Sequence, residues 1–172
     1  KGGSKRLFVP KWDSNRKGTD VVLSGGDATA YRCTPKGWGA VLGTHAVSSG
    51  RSLFCFRIDH LANNTLVGVA LPDARLNEGA SKRNVVLKET GELFAWGSKV
   101  ALLPGFQAGD TVCFVLDYPG RAIHVCQASD IGPGGVVGGI SGTVQGIHGT
   151  LRPFASFGSI NASVTLVPSQ WE

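Results

Sequence analysis

At 172 residues the chain is long enough for one domain with a substantial core and too short for two ordinary ones. Charged residues make up only 17% while 25 residues are Gly and 8 are Pro, so many short elements joined by tight turns are expected, the profile of an all-β sandwich or barrel. The net charge of +5 belongs wholly to residues 1–17, where Lys1, Lys5, Arg6, Lys11, Arg16 and Lys17 outweigh Asp13; the neutral remainder excludes the basic stripe that phosphate tracking needs.

Residues 1–11 read as a basic, solvated arm leading into one domain over 12–172. Asp13, Asn15 and Lys17-Gly18 share the spacing of a calcium loop. Lys17 stands where an oxygen ligand belongs and Ser24 where the closing glutamate belongs, so a hard cation is excluded. Strands are then expected at 21–23, 28–32, 39–42, 52–59, 65–70, 85–88, 92–95, 111–116, 122–126, 151–157 and 163–167. Gly25-Gly26-Asp27, Pro35-Lys36-Gly37, Gly109-Asp110 and Pro119-Gly120 supply the turns.

The clearest pair of strands lies in SSGRSLFCFRIDHLANNTLVGVA, residues 48–70. Phe54, Phe56 and Ile58 alternate against Leu53, Cys55 and Arg57, and Leu66, Gly68 and Ala70 against Val67 and Val69. No helical periodicity exceeds a turn or two, and the longest apolar run, 100–106, is broken by Pro104 and Gly105, far short of the ~20 residues of a membrane span. The glycine-dense segment 132–149 reads as a mobile surface loop, because ordering glycine costs more backbone entropy. It lacks the Gly-Lys-Ser/Thr ending of a phosphate loop and opens no helix.

Cys55, Cys113 and Cys126 fall inside apolar strands and, with Cys33, show no metal spacing; buried thiols in a reducing compartment are expected. Two glycosylation sequons, Asn63-Asn64-Thr65 and Asn161-Ala162-Ser163, count against that compartment, but such tripeptides are common by chance. The absence of methionine, even at position 1, predicts a piece of something longer, and no signal-peptide core is visible. His45, His60, His124 and His148 are scattered, and Asp59-His60 neighbours point to opposite strand faces, so no acid-base pair or nucleophile signature emerges. Trp96 beside Phe94 reads as core, and Trp12 and Trp171 as packing for the chain ends. Trp38, between Gly37 and Gly39, is a candidate for recognition.

Taken in order, the early hairpin VVLSGGDATAYR, the SSG entry into an aromatic strand, VGVA, GDTVCFVLDY, and LRPFASFG followed by SVTLV resemble the SPRY domain, the core of the B30.2 module, over residues 12–167. Phe54 and Cys55 stand where many members have a Trp-Glu pair, and the long glycine-rich segment replaces a short aromatic and Asn-Gly turn. The resemblance implies a bent two-sheet antiparallel β-sandwich, concanavalin-like, used without a cofactor as a non-enzymatic module that binds a peptide or partner-protein surface within a larger, intracellular protein, cytoplasmic rather than nuclear. It points to the loop 71–84 with Asp73, Arg75 and Asn77, and to the turn Phe157, Gly158 and Ser159, with Trp38 added from its own setting. Two rivals remain: nucleic-acid association through the basic arm, and lectin-like carbohydrate binding, for which no acid-asparagine metal cluster with an aromatic platform can be assembled.

Overall fold

The computed structural model describes residues 9–34, 37–132, 135–136 and 141–169. Its strands run in the order β1 (Trp12–Lys17), β2 (Val21–Ser24), β3 (Thr29–Arg32), β4 (Gly39–Gly43), β5 (Arg51–His60), β6 (Thr65–Ala70), β7 (Asn84–Lys88), β8 (Glu92–Ala95) and β9 (Ser98–Leu102). They continue with β10 (Thr111–Asp117), β11 (Ala122–Gln127), β12 (Ile131–Gly132), β13 (Gly135–Val136), β14 (Gly142–Gln145), β15 (Arg152–Phe157) and β16 (Ser163–Val167). Among the described residues the one helical element is the 3-10 turn Ala128–Asp130, and no helix is long and apolar enough to cross a membrane.

Two antiparallel seven-stranded sheets form a sandwich, in the orders β1-β4-β15-β6-β7-β8-β9 and β14-β11-β10-β5-β16-β3-β2, with β12 and β13 as a separate pair. The alternation seen in the sequence decides which residues meet between the sheets. Phe54, Phe56 and Ile58 of β5 face Val67 and Val69 of β6 in one buried layer with Phe114, Leu116, Val164 and Leu166. Phe56 and Phe114 meet edge to face with ring centroids 5.9 Å apart. Each such side chain contributes about 1.5–3 kcal/mol by leaving water.

The first sheet is buried on its outer side as well. Residues 71–83, joining β6 to β7, cross that face and lay Ala74 and Leu76 over Ala40, Leu42, Leu66, Ala70, Val86 and Phe154. Hence β4 and β6 are buried along their whole length. Gly68 is required there: a Cβ would lie 2.0 Å from the Val85 carbonyl oxygen.

Five strands are absent from the sequence expectation: the short pair β12 and β13, and three that lie at the edges of the two main sheets. β1 buries only Trp12 fully, β9 exposes Val100 and Leu102, and β14 lies inside the glycine-rich segment. The last is a correction. Residues 142–145 pair with β11 and Val144 enters the core, because one apolar residue facing inward suffices to seat an edge strand. Trp96 packs against the core, as expected, but at its margin. It occupies the β8–β9 turn at φ 53, half-buried, with His148 stacked on it at 4.1 Å. Trp12 is core, its indole N–H directed at the Val164 carbonyl 3.4 Å away. Most of the basic arm, the Pro35-Lys36 part of one turn, and Trp171 lie outside the described residues.

Candidate recognition grooves

Arg32 ends β3 on the same side as Ala30 and is therefore carried into the interior. Its side chain is fully buried and its Nε donates to the Asp20 carboxylate at 2.5 Å. Nη1 donates to the Gly37 carbonyl and, at 3.1 Å, to that of Phe157. One guanidinium thus ties the β1–β2 turn, the β3–β4 connection and the end of β15 together. A planar fork of donors suits three acceptors arriving from separate segments.

Asp20 is the counterpart. Burial raises its carboxyl, but hydrogen bonds from Arg32 and Thr34 and the Arg32 charge overcome that, so it stays below the ordinary carboxylate range. Its backbone carbonyl accepts from the Cys33 amide at 3.0 Å and the Cys33 thiol at 3.1 Å. Gly39 has no room for a side chain, since a Cβ would meet Asp20 at 2.6 Å.

Around this hub open two grooves that share Cys33. One, of about 440 Å³, is lined by Gly18, Thr19, Asp20, Cys33, Thr34, Trp38, Leu76 and Asn77. The other, of about 630 Å³, runs along β2, β3 and β16 and includes Tyr31, Arg32, Cys33, His60, Ile160 and Asn161. Trp38 is half-buried, its ring wedged between Gly79 and Gly158, where a Cβ would approach it to 3.1 and 2.9 Å. Glycine at both positions is what lets the indole lie flat against the backbone.

The expected site residues divide. Trp38, Asn77 and Gly158 come together at the smaller groove. The loop 71–84 leaves β6 at the opposite end of the sheet and crosses its outer face to get there, held by the Leu76 carbonyl to the Ala40 amide at 3.0 Å and the Glu78 carbonyl to the Ser156 hydroxyl at 2.6 Å. Asp73 and Arg75 stay on the exposed part of that crossing, paired with Arg83 at 3.2 Å and Glu78 at 3.3 Å. Phe157 is a correction: its ring is fully buried between the sheets and has no surface to offer a ligand. Ser159 is half-buried, and the residues of its turn that line a groove are the next ones, Ile160 to Ser163. Asp20, Arg32 and Thr34 belong to no motif in the sequence; the one signal is the TAYR alternation, which places Arg32 with the buried Ala30.

Among the described residues no group of His, Cys, Asp and Glu is arranged to hold a metal ion. The linings offer an indole face, an amide, hydroxyls, a carboxylate, the Cys33 thiol and the His60 imidazole.

No protein-family model matches this chain, and no curated protein does. Solved structures do. The SPRY domain of human HERC1 superposes with a TM-score of 0.72 at 21% identity, covering 90% of this chain and 96% of that one. The PSpry domain of TRIM65 gives a TM-score of 0.72 at 12% identity, covering 92% and 91%. At such identities the likeness is one of fold: this chain has the SPRY-domain fold.

Proposed function

We propose that the chain is a non-enzymatic recognition module, one domain over residues 12–172 behind a basic arm, that binds an extended segment of a partner protein in the grooves meeting at Cys33. SPRY-fold neighbours point to protein partners, and the observation that carries the reading for this chain is the Trp38–Asn77–Asp20 groove. Three separate connections build it over one buried arginine. A pre-set wall loses little entropy on binding, which favours a loop-built site on a rigid frame. The Trp38 face offers apolar contact, the Asn77 amide and Thr34 hydroxyl can pair with a peptide backbone, and Asp20 favours a basic or amide-bearing side chain. Asp73 and Arg75 extend the contact surface for a partner broader than a peptide. No cofactor enters this reading, and a place within a larger intracellular protein accords with it.

The test begins with a pull-down on the isolated chain, read by mass spectrometry, followed by calorimetry with the recovered partner. Asn77→Ala is expected to weaken binding by about 1–3 kcal/mol, as a groove contact does, with the thermal midpoint unchanged. Undiminished affinity in that variant and in Trp38→Ala would show that the groove is not the site.

A further inference from the structure

The outer face of the second sheet carries three cysteines side by side: Cys55 of β5 lies opposite Cys113 of β10, which lies opposite Cys126 of β11. Directly opposed residues of antiparallel strands keep their Cα atoms about 4.5 or 5.5 Å apart, and both spacings fall in the range a disulfide spans. Two observations single out one pair. The Cys55 and Cys113 sulfurs lie 2.6 Å apart. Both residues also line an open groove of about 470 Å³ with Leu53, Arg57 and Thr111, and Cys126 is not among its walls.

We infer that Cys55 and Cys113 are an oxidisable dithiol, closed to a cross-strand disulfide by hydrogen peroxide entering that groove. Cys55, slightly exposed where Cys113 is wholly covered, reacts first. Its sulfur attacks one peroxide oxygen, the O–O bond breaks, a water leaves and Cys55 becomes a sulfenic acid. The Cys113 sulfur then attacks the Cys55 sulfur, the S–S bond forms, the S–O bond breaks and a second water carries off the remaining thiol proton. Two thiols are oxidised and one peroxide is reduced to two waters. The strands need not move, because the sheet register already holds the pair in place, and the new bond braces β5 against β10 across 58 residues of chain.

The sequence makes the test direct: trypsin cuts after Arg32, Lys36, Arg51, Arg57, Lys99 and Arg121, placing the four cysteines in four peptides. The reduced chain is treated with hydrogen peroxide, its remaining thiols are blocked, and a non-reducing digest is read by mass spectrometry. The expected product joins the Cys55 and Cys113 peptides, persists in Cys126→Ser and is lost in Cys113→Ser. The oxidised chain should melt higher by roughly 5–15 °C, reversed by a thiol reductant. A bond between Cys113 and Cys126 instead, or oxidation confined to exposed Cys33, overturns the inference, and the wild-type digest alone decides it.

Discussion

The two sheets cover their outer faces to different extents. Over the first, residues 71–83 lay down an apolar cover, so Phe154 and Leu42 are buried on the side facing away from the second sheet. Over the second, the outward row is mixed: Leu53, Cys55, Cys113, Val115 and Cys126 make a buried cluster in its middle, flanked by polar and charged residues. Thr29, Thr165, Asp59 and Arg57 share hydrogen bonds near β3 and β16, thiols follow at β5 and β10, and two of the grooves open there. A strand covered on both sides reads as an unbroken apolar run, as TLVGVA does, whereas one with a single dry face alternates. The covering loop has a second consequence, because in crossing the first sheet it delivers Asn77 to Trp38.

The largest expected effect tests whether that cover is true core. Phe154→Ala should cost about 3–5 kcal/mol in urea unfolding, as much as Phe56→Ala between the sheets. A loss near 1 kcal/mol for Phe154→Ala alone would make the loop a loose flap and break the comparison. Tyr31→Ala, on the outer face of the second sheet at 37% exposure, should fall within about 0.5 kcal/mol of wild type.

This contrast also explains what the sequence made legible. β5, β6, β15 and β16 announce themselves because packing demands apolar residues at fixed intervals. β1 shows one Trp and five polar residues, and β9 lies exposed at a sheet edge, so neither had a periodic signal strong enough to read. In the site, Trp38 stood out because its glycine neighbours are needed for the chain to pass close by. Asp20 did not, because its meaning comes from Arg32 and Thr34, which reach it only after β2 and β3 fold back on each other. Phe157 misled for a related reason: an aromatic beside a glycine at a strand end looks alike whether it points in or out. Its parity with buried Ala155 is what turns it inward.

Next in size is the charged hub beneath the grooves. Asp20→Asn removes the carboxylate charge that faces the buried Arg32 guanidinium and should cost about 1.5–3 kcal/mol at pH 7. Because the folded-state pKa of Asp20 is lowered, its contribution is present above the ordinary carboxylate range and is lost as pH falls through the folded value. The difference between wild type and Asp20→Asn should therefore shrink in acid. Glu89 has the opposite sign. Burial raises its carboxyl despite hydrogen bonds from the Asn64 and Thr65 amides, so its contribution is present in acid and is lost as pH rises through the raised value. Denaturant unfolding of wild type, Asp20→Asn and Glu89→Gln across pH 2–8 checks both; a gap between wild type and Asp20→Asn that widens in acid would contradict the Asp20 assignment.

The smallest effect separates two arginines that touch the same covering loop. Arg16 of β1 donates to the Pro72 carbonyl at 2.7 Å and the Ala74 carbonyl at 3.1 Å, where the loop begins its crossing. Arg75, within the loop, meets the Glu78 carboxylate at 3.3 Å, with 63% of its side chain exposed. A charged donor satisfying two backbone acceptors fixes the path of the chain, while an exposed ion pair gains little Coulomb energy and loses side-chain entropy. Arg16→Ala should lower stability by about 1 kcal/mol and speed amide hydrogen exchange at Ala74, whereas Arg75→Ala should change neither beyond about 0.5 kcal/mol. Because Arg75 carries so little of the fold, any loss of partner binding in Arg75→Ala reports on the surface itself. A destabilised Arg75→Ala would mean instead that the loop depends on its own charges and not on β1 for its course over the sheet.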